Sequence, residues 1–172
     1  MEIVEAIILR VNDFDERDGF VTALLADGRV MNLYAQGIQA PESKNRLNLI
    51  PYSVVELEYF QNKDRFKGKL MRSTTLKENT AKDLRDLNLL AGMSALLEHR
   101  EIAGTALFNL FKYIVTEMEY KAINPSLMFY FMSLVLKLEN MRLKVDRCAV
   151  CGRDHDIVSF DLGSNGLLCK EH

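Results

Sequence analysis

The hydrophobic pattern of this chain changes period once, near residue 79, and that change limits the folds open to it. Before it, EIVEAIILRV, GFVTALLAD, GRVMNLYAQG, SVVELEYF and RFKGKLMRST are short runs rich in β-branched and aromatic side chains. Between them stand turn signals: NDFDERD, the Asp27-Gly28 step, the longer GIQAPESKNRLNLIPY, and QNKD. Five strands with a tight hairpin between the second and third predict a small closed barrel, because closure removes the unpaired edges of an open sheet. The same pattern leaves open a sheet packed on the helices that follow.

Beyond residue 79 the apolar positions recur every three or four. Leu84, Leu87, Leu90, Met93 and Leu97 fall on one helical face, and Thr80 with Asp83 has the form of a capping pair. TALFNLFKYIVTEMEY predicts a second helix over about 104–120, and Asn124-Pro125 supplies a cap and a first-turn proline for a third, ending near Arg142. That third helix is apolar nearly all round, the pattern of a helix covered by neighbours on several sides. The expected organisation is an α+β chain in several parts: a five-stranded barrel at 1–79, a helical bundle at 80–145 and a closing segment at 146–172 packed on the helices.

The closing segment, CAVCGRDHDIVSFDLGSNGLLCKEH, holds every cysteine in the chain. Cys148 and Cys151 form a C-x-x-C step followed by Gly152, and Cys169 with His172 repeats the gap after 17 residues. Two such steps offer four soft or borderline ligands to one tetrahedral zinc, because each short turn holds two donors at the required separation. A site filled by four protein ligands is closed and structural. His172 ends the sequence, so His155 or the terminal carboxylate competes with it for the fourth position. A redox dithiol is the lesser reading, since no strand-to-helix context surrounds Cys148.

His99-Arg100-Glu101 fits the H-x-E of zinc deaminases, but Cys148 follows Arg147 where that signature carries proline, and Cys169 and His172 would be left without a purpose. His99 is read instead as a solvent-facing residue near a helix C-terminus. The sequence offers no nucleophile with a readable base, no glycine-rich phosphate loop and no carboxylate cluster of metal spacing. An enzyme is not expected.

A composition of 48% hydrophobic and 27% charged residues is that of an ordinary folded protein, and a net charge of -2 gives no global pull toward nucleic acid or membrane. The distribution is uneven, however. Residues 1–43 carry 3 basic side chains against 8 acidic, whereas 44–72 carry 7 against 3. The opening MEIVEAIILRV lacks the form of a signal peptide, and LMFYFMSLVLKL, broken by Ser133 and Lys137, falls short of the roughly 20 residues of a bilayer span. A cytoplasmic location is expected, where cysteines point to metal rather than to disulfides.

The order barrel, helices, C-x-x-C segment resembles the bacterial recombination mediator RecO. The likeness covers nearly the whole chain and is carried by EAIILRVNDFDERDGFVTALLADGRVMNLYAQG, IQAPESKNRLNLIPYSVVELEYF, and CAVCG with a later LLCKEH. It implies an OB-fold barrel, a DNA repair and recombination role without enzymatic turnover, and binding and annealing of single-stranded DNA. It also implies partnership with RecR, RecA and the single-strand-binding protein. Two departures stand out. Family members often place basic residues directly after the glycine that ends the third strand, whereas here Ile38 and Gln39 follow Gly37. The family also usually continues into further helices beyond the zinc segment, and this chain stops at His172.

OB barrels hold single strands through a cationic groove along the phosphates and aromatic platforms for the bases. The candidates are Lys44 and Arg46 in the long loop, Lys63 and Arg65 in the turn before the fifth strand, and Lys67 and Lys69 on it, with Tyr34 as a platform. Phe20 could stack bases too if its side chain faces out, but core packing is favoured for it, and alternation does not reveal which face is buried. The acidic turn at 13–18 is expected off the groove, since it would repel DNA. The competing reading is a protein-interaction adaptor whose barrel never touches nucleic acid.

Overall fold

The predicted strands close on themselves. The computed structural model describes residues 1–61, 68–141, 143–161 and 163–172. In it, β1 (Glu2–Asp13), β2 (Gly19–Leu25), β3 (Val30–Ala35), β4 (Val54–Gln61) and β5 (Gly68–Lys77) form a closed barrel in the order β1-β2-β3-β5-β4, the strand order of an OB-like barrel. Alternation fills it: Ala6 and Ile8, Val21, Ala23 and Leu25, Met31 and Leu33, Val55, Leu57 and Tyr59, and Leu70 form one buried cluster.

Strand β1 is buried on both faces, because Ile7 and Leu9, of the opposite parity, are also covered. The helices lie on that side. Ser94 Oγ donates to the Leu9 carbonyl at 2.8 Å, Lys112 pairs with Glu5 at 2.6 Å, and Arg10 pairs with Glu98 at 3.4 Å. The Asp27-Gly28 hairpin forms as the sequence requires, with Gly28 at φ 87°. Its carbonyl accepts from the amides of Ala103 and Gly104 at 2.8 and 3.0 Å, so the β2–β3 turn anchors the link between the first two helices.

Helices α1 (Leu84–Ala95), α2 (Thr105–Glu117) and α3 (Ser126–Leu138) follow. The cap of α1 is Asp83 itself, which accepts from the Asp86 amide at 2.8 Å; Thr80 is not the capping residue. Leu90, Met93 and Leu97 are buried as expected, but Leu84 is 72% exposed and Leu87 is partly so. The reason is that the bonds of α1 to the barrel come from its C-terminal end, at Ser94, and from Glu98 just beyond it. Asn124 caps α3, accepting from the Ser126 amide at 3.0 Å. The helix stops before the predicted end because Asn140 turns left-handed at φ 56°. Phe131 of α3 meets Phe111 of α2 edge to face, ring centroids 6.0 Å apart.

Contacts divide the chain into Met1–Met132 and Ser133–His172, with the division inside α3. The second unit holds a three-stranded sheet of β6 (Lys144–Cys148), β7 (Ile157–Asp161) and β8 (Gly166–Cys169), in the order β6-β8-β7. Among the described residues no helix is long and apolar enough to cross a membrane.

Candidate functional site

Parallel pairing builds the first site. β6 ends at Cys148 and β8 at Cys169, and the two strands run side by side in the same direction, so the turns that follow leave the sheet at one end. Each turn is closed by a backbone bond to its first cysteine: the Gly152 amide donates to the Cys148 carbonyl at 2.9 Å, and the His172 amide to the Cys169 carbonyl at 3.0 Å. Gly152 sits at φ 75°, a conformation that suits glycine. Arg153 in one turn forms two parallel bonds to Glu171 in the other, at 2.9 and 3.1 Å.

Donor atoms of Cys148, Cys151, Cys169 and His172 consequently lie within 4.8 Å of one another. Cys151 Sγ is 3.7 Å from Cys169 Sγ, and His172 Nδ1 is 3.3 Å from Cys169 Sγ and 3.9 Å from Cys148 Sγ. The Cys151 amide, helped by those of Cys169 and Val150, lowers the Cys148 thiol to about 6 against its desolvation. At Cys151 the Arg153 amide favours the thiolate, but desolvation and the neighbouring sulfurs outweigh it and push the thiol up. Three sulfurs and one imidazole, without a carboxylate, form a donor set suited to a borderline-soft tetrahedral ion. The four residues lie close enough to hold a metal ion. His155 stands apart, exposed and bonded to Asp154 at 3.0 Å.

The barrel carries a second arrangement. Its register aligns Asn12, Phe20, Tyr34, Lys69 and Phe60 in one row across β1, β2, β3, β5 and β4. Phe20, Tyr34, Lys69 and Phe60 are of the parity opposite the buried cluster, and past the β1 irregularity at Ile8/Arg10 it is Val11, not Asn12, that packs on it, so the row faces outward. Phe20 is therefore not a core residue: its ring lies 5.8 Å from that of Tyr34, and both are half-buried. Phe60 is 46% exposed, and Lys69 Nζ donates to Gln36 Oε1 at 2.8 Å.

The acidic turn joins this face instead of avoiding it. Phe14 lies edge-on to Phe20 at 5.0 Å and to Tyr34 at 6.4 Å. Asp18 accepts from the Tyr34 hydroxyl and, at 2.7 Å, from the Gly37 amide, which draws the turn across the end of β3. The Tyr34 bond holds the Asp18 carboxyl below its ordinary value, and the same bond pushes the Tyr34 hydroxyl up to about 12. Gln39 completes the fastening, its side chain donating to Asp13 and its amide to the Arg17 carbonyl at 2.8 Å.

Of the predicted cations, Lys69 adjoins Tyr34 in the row. Lys44 and Arg46 are exposed on a loop that Asn45 and Asn48 pin to Ser73 and Thr75, further along β5. Arg46 also reaches the Gln39 carbonyl at 3.4 Å. Lys63, Arg65 and Lys67 lie outside the described residues. Phe14 and Phe60 were missed by sequence reasoning. For Phe60 a signal exists: it shares parity with Glu56 and Glu58, which mark the outward face of β4.

No protein-family model matches the chain. Curated relatives do. It is 27% identical over 173 residues to the DNA repair protein RecO of Syntrophomonas wolfei, covering 96% of this chain and 68% of that one. It is 24% identical over 172 residues to the DNA repair protein RecO of Caldanaerobacter subterraneus, with 97% and 69% covered. The protein of the same name from Bacillus cereus is 24% identical over 176 residues, with 98% and 69% covered.

Proposed function

From the RecO assignment and DNA repair role that these relatives support, we propose that this chain binds single-stranded DNA on its barrel, anneals complementary strands and helps load a recombinase on protein-coated strands. The observation that carries the reading is the outward row Phe20, Tyr34, Lys69 and Phe60, which sets aromatic platforms beside a cation. Lys44, Arg46, Lys63, Arg65 and Lys67 add phosphate contacts. Stacking and phosphate contacts leave the Watson–Crick edges free, which annealing requires. The chain acts as a mediator without turnover, in the cytoplasm, with RecR, RecA and the single-strand-binding protein as partners.

In this reading the four-donor cluster holds one structural zinc through Cys148, Cys151, Cys169 and His172, and the ion supplies cross-linking of the two turns. Elemental analysis of the purified chain should give one zinc, and His172→Ala should weaken its retention under a competing chelator. Equal retention in that variant would remove His172 from the ligand set.

The nucleic-acid reading is tested by titrating fluorescent oligo-dT at two salt concentrations. Binding that weakens as salt rises is expected. Absent or salt-insensitive binding would favour a protein-interaction adaptor.

A further inference from the structure

The carboxylates of the β1–β2 turn sit where a strand-binding face should be least tolerant of them. Asp13, Asp15 and Glu16 are exposed. Their turn is fixed beside Tyr34 by Asp18 and Gln39, and Phe14 packs its ring into the same aromatic group. The contacts that hold the turn use neutral donors: the Gln39 side chain for Asp13, the amides of Arg17 and Asp18 for Asp15, and Tyr34 and Gly37 for Asp18. Hydrogen bonds of this kind fix the carboxylates without cancelling their charge. The phosphates of a strand whose bases stack on Phe20 and Tyr34 would pass the turn that Asp18 ties to Tyr34, and like charges act over about one Debye length, roughly 10 Å at 0.1 M salt.

We propose that the β1–β2 turn is a built-in electrostatic restraint on the strand-binding face, with Asp13, Asp15 and Glu16 repelling the backbone of a strand seated on the aromatic row. The proposal rests on the single-strand reading above. An annealing surface has reason to carry such a restraint, since a strand gripped too tightly is not released to its complement. Lys69 in the row draws the strand in, and the turn limits how firmly it is held.

The test is oligo-dT affinity of the full chain carrying Asp13→Asn, Asp15→Asn and Glu16→Gln. The amide oxygens at 13 and 15 can still accept the bonds that shape the turn. Affinity should rise by about three- to tenfold at roughly 0.05 M salt, and the gain should shrink as salt approaches about 0.2 M. Glu16→Gln alone, and more so Glu16→Lys, should move affinity the same way. Wild-type binding that none of these substitutions strengthens at low salt overturns the restraint alone. A wild-type chain that fails to bind oligo-dT at low salt defeats the single-strand reading, and the restraint with it.

Discussion

The barrel and the closing sheet are both built from short strands, yet they are held together by different means. Inside the barrel, alternate residues of every strand reach one shared apolar cluster. In the closing sheet, Lys144–Arg147 of β6 are all exposed, no residue of β7 is fully buried, and burial in the strands is confined to Cys148, Gly166 and Cys169. A sheet with so little apolar interior cannot draw its order from the hydrophobic effect, and what remains is the cluster of donors at its end. Here a metal would contribute folding energy directly, whereas the barrel would not depend on it.

The largest expected effect follows from that contrast. Cys148→Ser, or removal of metal with a strong chelator, should abolish amide protection in β6 and β8 while leaving the barrel strands protected in hydrogen exchange. Structural zinc in small peptides supplies about 10–16 kcal/mol of apparent binding energy, far more than a three-stranded sheet can otherwise gather. Protection in β8 that survives chelation would show that the sheet stands by itself.

Truncating one apolar side chain in each region sharpens the contrast. Leu57 is fully buried in the barrel, and Leu57→Ala should cost about 2–5 kcal/mol in denaturant unfolding. Val158 is 59% exposed on β7, and Val158→Ala should change stability by less than about 0.5 kcal/mol. Similar costs at the two sites would mean that the closing sheet has an apolar interior after all.

The two regions also differed in how far their residues could be read from sequence. The donor cluster was legible because two turns of equal span put cysteines and a histidine at fixed offsets; what spacing left open, the choice between His155 and His172, depended on the parallel pairing of β6 and β8. The barrel was legible as strands, because its turns carry aspartate, asparagine and glycine. Which aromatics face outward was not read, although β3 and β4 carried the answer. Asn32 shares parity with Tyr34 and Glu58 with Phe60, and a polar residue on a barrel strand marks its solvent side, whereas on β2 Thr22, of the parity of Phe20, is itself buried. The position of the acidic turn was not readable at all, since it is set by bonds from Asp18 to Tyr34 and Gly37, distant in sequence.

Those bonds predict a pH dependence of the barrel's stability. The Tyr34 hydroxyl lowers the Asp18 pKa from its ordinary 3.8, so the ionised carboxylate is favoured in the folded state. The stabilisation is fully present above the unfolded value and is lost as pH falls through the lower folded one. Asp18→Asn should therefore lower the barrel's melting temperature at pH 7, and the difference from wild type should narrow below about pH 4. A difference that stays constant from pH 7 to pH 3 would mean the bond to Tyr34 does not favour the charged form.

The smallest effect separates the regions by their part in binding. Lys69 stands in the outward row beside Tyr34, whereas Lys170 in the closing segment pairs with Asp156 at 3.3 Å. Each phosphate contact on a single strand contributes about 0.7 to the slope of log affinity against log salt. Lys69→Ala should reduce the slope for oligo-dT by about that amount, and Lys170→Ala should leave it unchanged. The Lys69 ammonium donates to Gln36 at 2.8 Å and also acts on the Asp18 carboxylate, which keeps its expected effect small. If both substitutions lower the slope equally, the strand path runs over both units and the barrel is not the separate binding surface.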